Sequence, residues 1–320
     1  FLHPVEIMGK VIRILEKVVE KISKDRPLKL RLGGFILTIV VVLISGLSGW
    51  SIERLSIEKP FGVELISQIP LIIGLSSAMA AGSLRQAVFK VLLEIDKTDE
   101  ITSIRLEKAK KALRKIVGRD VNNLNESEIL RATAETASEN SVDGIFAPLF
   151  WMFVGVILWR INPILPGPLA MAWMFKASST IDSMLGYKFG SLKWMGTAGA
   201  RLDDFLTWIP CRLVLLSLPL ISRPWKEAPT LIRDAIREGS LDSSPNSGIS
   251  EAIFAHCGRV KMGGGNYYRG KKIYKSILAN NAPAASIESV KRIVNISLRL
   301  EISWILLSIV LEICINRLWV

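Results

Sequence analysis

The sequence offers little for disulfide or metal-centre chemistry. Its 320 residues include three cysteines and two histidines. Cys211, Cys257 and Cys314 lie far apart with no CxxC pair, which excludes a disulfide framework and a cysteine-based zinc site. His3 and His256 alone cannot supply a His-rich metal centre. No GxxxxGK[ST] run occurs, so a Walker-type phosphate loop is missing. Zinc-finger, RNP-type and helix-turn-helix patterns are also missing, so a net charge of +12 does not read as a nucleic-acid footprint. Charge itself is absent from Leu32 to Ile52.

That charge-free stretch reaches the roughly 20 apolar residues that cross a bilayer core. Half of the chain is hydrophobic, and the mean hydropathy is +0.36. Further apolar runs follow at about 61–84, where Glu64, Gln68 and Pro70 interrupt, and at Gly144–Trp159. Leu169–Leu185 returns after a turn rich in proline, and the last runs are Phe205–Ile221 and Leu298–Ile315. Residues 4–31 read as an amphipathic, Lys- and Arg-rich helix, and 85–125 is again basic. Basic flanks beside apolar runs place those flanks in the cytoplasm. The expected fold is an all-α, polytopic membrane helical bundle with cytoplasmic polar helices and loops. It is read as one integral membrane domain over 1–320, with polar regions at about 85–143 and 222–297, the latter mobile-looking. Arg212, Pro210 and Pro219 leave open whether 205–222 crosses fully or re-enters.

Four clusters could carry chemistry. In the first, Arg131, Glu135, Glu139 and Asp143 recur every four residues and line one helical face. Three acids offset by one arginine suit a cation, either magnesium with its nucleotide or an amine; a solvated, salt-bridged face is the plainer alternative. The second cluster is STIDSMLGYK at 179–188, where Asp182 could meet a metal or amine and Lys188 a phosphate, or where the helix simply ends at an interface. The third is ARLDD at 200–204, continuing to Trp208 and Arg212; Arg201, Asp204, Trp208 and Arg212 can share a face, and an Asp pair suits magnesium. The fourth joins SPNSG at 244–248 to GGGNYY at 263–268, glycine-rich backbone able to approach a phosphate.

Together with HPVEIMG at 3–9, VGRD at 117–120, ETASENSVDGIFAPLFW at 135–151 and IPCRL at 209–213, these ordered motifs resemble the CbiB/CobD family, the adenosylcobinamide-phosphate synthases. The family pattern has an apolar segment before its HPV motif, and alanine where this chain has Ser247. The resemblance implies a multi-pass cell-membrane enzyme whose active site faces the cytoplasm. It implies an ATP-dependent ligase, with Mg2+, joining (R)-1-amino-2-propanol O-phosphate or ethanolamine phosphate to adenosylcobyric acid. The implied partners are those substrates and the lipid bilayer, with no nucleic acid. A homo-oligomer, or a complex with other membrane enzymes of the cobalamin pathway, is compatible with it.

Such a reaction needs positive charge around an activated carboxylate and a base for the attacking amine. The residues assigned to catalysis are Glu135, as the base, with Glu139, Asp143, Arg201 and Asp204. Glu139, Asp143, Asp203 and Asp204 are assigned to metal or amine. Lys188, Arg212 and Gly263, Gly264 and Gly265 are assigned to phosphate. His3, Asn140, Asp182, Tyr187, Ser244 and Asn246 complete the substrate-binding set, and the acids and arginines are expected to converge at the cytosolic edge of the bilayer. The rival readings are a non-catalytic AmpE-like membrane sensor or scaffold, and a corrinoid transporter.

Overall fold

The structure is a computed structural model that describes residues 3–58, 64–97 and 101–318. Residues 61–63 of the second apolar run lie outside the described part. In chain order the helices are α1 (Pro4–Ser23), α2 (Pro27–Glu58), α3 (Glu64–Ala78), α4 (Ala81–Ile95), α5 (Thr102–Leu113) and α6 (Glu126–Ser141). A π-helical turn, Val142–Phe146, joins α6 to α7 (Ala147–Ile161). Then come α8 (Pro168–Leu185), the short α9 (Leu192–Met195), α10 (Thr197–Ser222), α11 (Ala228–Gly239) and α12 (Ser247–Gly258). The antiparallel hairpin β1 (Met262–Tyr268) and β2 (Lys271–Leu278) precedes α13 (Ile287–Leu318).

Among the described residues, four stretches are long and apolar enough to cross a membrane: Pro27–Glu58, Glu126–Ile161, Thr197–Ser222 and Ile287–Cys314. A fifth exists if the bent pair Ser67–Ala78 and Ala81–Ile95 is one span. The chain is therefore an all-α polytopic bundle carrying one small hairpin. Glu126–Ile161 has 36 residues, or ~54 Å at 1.5 Å per residue, against a hydrocarbon core of ~30 Å. Its polar first half, α6, consequently extends beyond the hydrocarbon that its apolar second half can occupy. Segment 205–222, left open by the sequence, belongs to one unbroken helix. Pro210 has no N–H for the carbonyl of Leu206, and the Trp151 indole N–H donates to that carbonyl instead, at 3.1 Å.

The chain divides into two compact units. The first comprises residues 1–80 and 147–207, the second 81–146 and 208–320. In the first, α8 is packed by α1, α2, α3 and α7. A Cβ at Gly49 would overlap the backbone of Ala170, so glycine lets α2 and α8 touch main chain to main chain. Glu53 on α2 is fully buried. Its carboxylate accepts N–H bonds from Gly167 (2.9 Å), Leu169 (2.6 Å) and Ala170 (3.0 Å). Pro168 has no N–H to offer, so one carboxylate serves the exposed donors that open α8 and faces the positive end of its dipole. Glu53→Ala is expected to cost ~2 kcal/mol, read as a lower thermal midpoint in detergent; an unchanged midpoint would contradict the capping role.

The second unit packs α4, α5, α6, α11, α12, α13 and the hairpin around Ile129, Phe146, Phe254 and Ile293. Asn125 and Glu128 close a reciprocal capping box at the start of α6. The region 222–297, mobile-looking in the sequence, holds α11, α12, the hairpin and the first turns of α13, with their inner residues buried.

Candidate functional site

Three polar networks meet on α6 and its neighbours in the second unit. The innermost surrounds Glu135, which is fully buried. Arg119 Nη1 donates to Glu135 Oε2 at 2.5 Å, and Arg131 Nη1 donates to Oε1 at 3.0 Å. The Gly263 N–H donates to Oε1 at 2.8 Å. Both arginines also donate to Asn266 Oδ1, and Arg131 donates to the carbonyls of Gly263 (2.6 Å) and Gly265 (3.0 Å). The backbone explains how strand β1 can do this. Gly263 and Gly264 have φ of +84° and +93°, a region that other residues rarely enter. The resulting bulge turns two carbonyls toward one guanidinium. Asp120, beside Arg119, accepts from the Gly270 N–H in the hairpin turn.

The second network centres on Lys275 of β2. Its Nζ is 2.8 Å from Glu251 Oε1 and 3.3 Å from Asp242 Oδ2, and Glu139 acts on both Lys275 and Glu251 electrostatically. Burial, strengthened by Glu139 and Glu135 and opposed by Lys275, pushes the Glu251 carboxyl up to about 8. Burial alone would lower Lys275, but Glu251, Glu139 and Asp242 outweigh it and hold the ammonium above its usual range. In the third network Arg212 of α10 donates to Asn246 Oδ1 (2.6 Å) and the Pro245 carbonyl (2.8 Å), with its guanidinium 4.8 Å from the Trp208 ring centre. Ser244 Oγ accepts from the N–H groups of Asn246 and Ser247, which shapes the SPNSG loop into a compact turn. Asp143 lies close enough to Cys211 to act on its thiol electrostatically.

The family model for "CobD/Cbib protein" matches residues 1–297. The chain belongs to the CobD/CbiB family. A cobalamin biosynthesis protein CobD of Synechocystis is 39% identical over 288 residues, covering 90% of this chain and 79% of that protein. A CobD of Klebsiella pneumoniae is 31% identical over 320 residues, covering 99% and 91%. A cobalamin biosynthesis protein CbiB of Salmonella typhi is 32% identical over 303 residues, covering 92% and 86%. No solved structure matches.

Within this CobD/CbiB chain the expected residues fall into two groups. The second unit gathers Glu135, Glu139, Asn140, Asp143, Arg212, Ser244, Asn246 and Gly263–Gly265. The first unit holds His3, Asp182, Tyr187, Lys188, Arg201, Asp203 and Asp204. There, Gly199 packs on Ile181, which sets the start of α10 with its ARLDD motif against the last turn of α8 with its STIDS motif. His3 caps α1 through Nδ1, accepting from the Val5 N–H at 3.4 Å. Tyr187 stacks near Phe189 with ring centres 5.3 Å apart, and Lys188 is exposed.

Two expectations change. The glycine run is a strand whose Gly263 N–H and carbonyl are already engaged by Glu135 and Arg131, not an open loop. The every-four stripe holds through Glu139, and then the π turn moves Asp143 off α-helical spacing; such turns often mark functional positions. Sequence reasoning did not single out Lys275, Asp242 or Asn266 as site residues, and it treated Arg119 only as part of a motif and a basic flank. Among the described residues no group of three or more His, Cys, Asp or Glu side chains could hold a metal. An all-protein cage is thus not formed by them, whereas magnesium needs only one or two carboxylates and takes waters and phosphate oxygens for the rest.

Glu251 makes a pH prediction. A carboxyl whose folded value lies above its ordinary 4.5 favours the folded state when protonated. That stability is lost as pH rises from 4.5 through about 8. Melts of the wild type should therefore fall across this window relative to Glu251→Gln, whose side chain cannot ionise. Parallel curves for the two proteins would refute it.

Proposed function

We propose that this chain is an ATP-dependent amide ligase of cobalamin biosynthesis. It joins (R)-1-amino-2-propanol O-phosphate or ethanolamine phosphate to adenosylcobyric acid, giving adenosylcobinamide phosphate. The observation that carries the reading is the match to the CobD/CbiB family over residues 1–297, together with relatives named as cobalamin biosynthesis proteins. The polar networks on α6 supply groups suited to the chemistry.

A carboxylate resists amine attack until it is activated, and the amine must lose a proton. Glu135 is fully buried and bound by three donors, so it is assigned to holding Arg119, Arg131 and β1 in place. The base is assigned to Glu139, one turn further along the same face and only half-buried. Glu139 accepts the ammonium proton, and it lies near enough to Lys275 to act on it electrostatically. Arg212 positions the SPNSG loop and is a candidate for substrate phosphate; Lys188, in the other unit, is a separate one. Asp143 in the second unit is a candidate for holding magnesium, and Asp203 and Asp204 are separate candidates in the first; the ion would offset phosphate charge where it bound. The basic flank before α2 supports an active side that faces the cytoplasm, where ATP is found.

The test is a mass-spectrometric assay of the purified protein in detergent, with adenosylcobyric acid, ATP, magnesium and each amine in turn. The expected result is an amide product that requires all components, with one amine preferred. Detergent leaves no compartment to transport across, so product formation also separates an enzyme from a transporter. Failure to form amide with either amine, by folded protein, would overturn the proposal.

A further inference from the structure

Helix α1 presents three faces. At 100° per residue, Met8, Ile12, Leu15 and Val19 form a seam that packs into the core of the first unit with Leu37, Ile181 and Leu185. About 90° round the helix, Ile7, Ile14, Val18 and Ile22 form a second apolar stripe. Ile7, Ile14, Val18 and Ile22 are all exposed, Ile14 and Ile22 at 62% and 66%. Lys10, Lys17 and Lys21 run along the next sector. An interior helix needs only the first face, and a solvated helix would not carry the second.

The position of α1 says what covers that stripe. Val19 packs against Gly33 near the start of α2, and Gly9 against Met184 near the end of α8. So α1 lies across the ends of these helices, at the level where the 32-residue span α2 begins. Trp194 sits at the same level. Met195, its neighbour, packs on Gly34, and the Arg31 guanidinium lies 4.5 Å from the Trp194 ring centre. An indole beside a cation is the arrangement found where membranes meet water. Past the Lys24–Arg26 turn, the exposed apolar surface continues on α2 through Leu28, Leu32, Phe35 and Ile36. That surface of a membrane span faces lipid, and the α1 stripe extends it.

We propose that α1 is an in-plane membrane-interface helix: Ile7, Ile14, Val18 and Ile22 enter the acyl edge of the leaflet from which α2 starts, while Lys10, Lys17 and Lys21 engage anionic phospholipid headgroups. A large amphipathic stripe bordered by lysines is what such binding requires, and a negatively charged leaflet attracts a cluster of basic residues close to its surface.

The full chain, with Cys314→Ser to remove the exposed thiol, can be reconstituted in vesicles of phosphatidylethanolamine and phosphatidylglycerol. Single cysteines at Ile14, Ile22 and, as the water-facing control, Arg13 receive an environment-sensitive fluorophore. Lipids carrying a nitroxide high on the acyl chain serve as quencher. Labels at Ile14 and Ile22 should quench at least roughly twofold more than the label at Arg13. Exchanging phosphatidylglycerol for phosphatidylcholine should reduce that quenching, and should do so less once Lys10, Lys17 and Lys21 are glutamine. Cysteines at Ile7 and Val18 repeat the measurement should the first pair disturb folding. Quenching at the stripe no greater than at Arg13 would overturn the proposal. Water-soluble quencher reaching the stripe would then show an uncovered face, and protection from both quenchers would show coverage by protein. Indifference to lipid charge would overturn the role of the lysines.

Discussion

Glu135→Ala is expected to destabilise the second unit by ~3–5 kcal/mol, the usual consequence of removing one partner from a buried ion pair. Two guanidiniums depend on this carboxylate. The side chains of Arg119 and Arg131 are only 7% and 15% exposed, so neither recovers its hydration when the carboxylate is lost. The Gly263 N–H loses its acceptor as well, and a buried unsatisfied donor adds its own penalty. Because Arg131 also holds two carbonyls of β1, the loss should spread to the hairpin and show as proteolysis around 263–278. Glu135→Gln separates structure from catalysis. A structural Glu135 predicts a large fall in thermal midpoint with residual turnover in the surviving folded protein. A catalytic base at this position predicts the opposite, a normal midpoint with no turnover, and that result would return the base assignment to Glu135.

The parts of this molecule that were legible in the sequence are those specified by neighbours in the chain. The charge-free run at 32–52 became α2. The proline-rich turn between α7 and α8 followed from Pro163, Pro166 and Pro168. The acidic row on α6 was readable to Glu139 because helical spacing alone sets it. What escaped was specified across long chain separations. Glu53 finds its three donors more than a hundred residues away. Lys275 looked like one of several basic residues, and only the pairing of β2 with β1 and the packing of α12 bring Asp242 and Glu251 to it. Three consecutive glycines read as a loop because glycine in a strand normally weakens it. Here left-handed backbone and a guanidinium turn that weakness into a docking surface for Arg131. The π turn was invisible for a related reason: one extra residue in a helical turn leaves no mark on composition.

Glu139→Gln carries the second large effect, a fall in turnover of about 10²–10⁴-fold with little change in stability. The contrast with Glu135 rests on their surroundings. The two lie one turn apart on α6, yet among the described residues Glu139 has neither a side-chain hydrogen bond nor an ion pair, and it is half-buried. Its influence on Lys275 and Glu251 is electrostatic. A carboxylate kept near an ammonium but not fastened to it is left able to reach a proton on a substrate. Glutamine preserves its shape and removes only that capacity, so folding should survive while amide formation stops. Glu139→Asp should retain part of the activity, since the basic group remains but is withdrawn by one methylene. A glutamine variant turning over at the wild-type rate would remove Glu139 from the chemistry. Equal losses of turnover and thermal stability would instead make it a structural partner of Lys275.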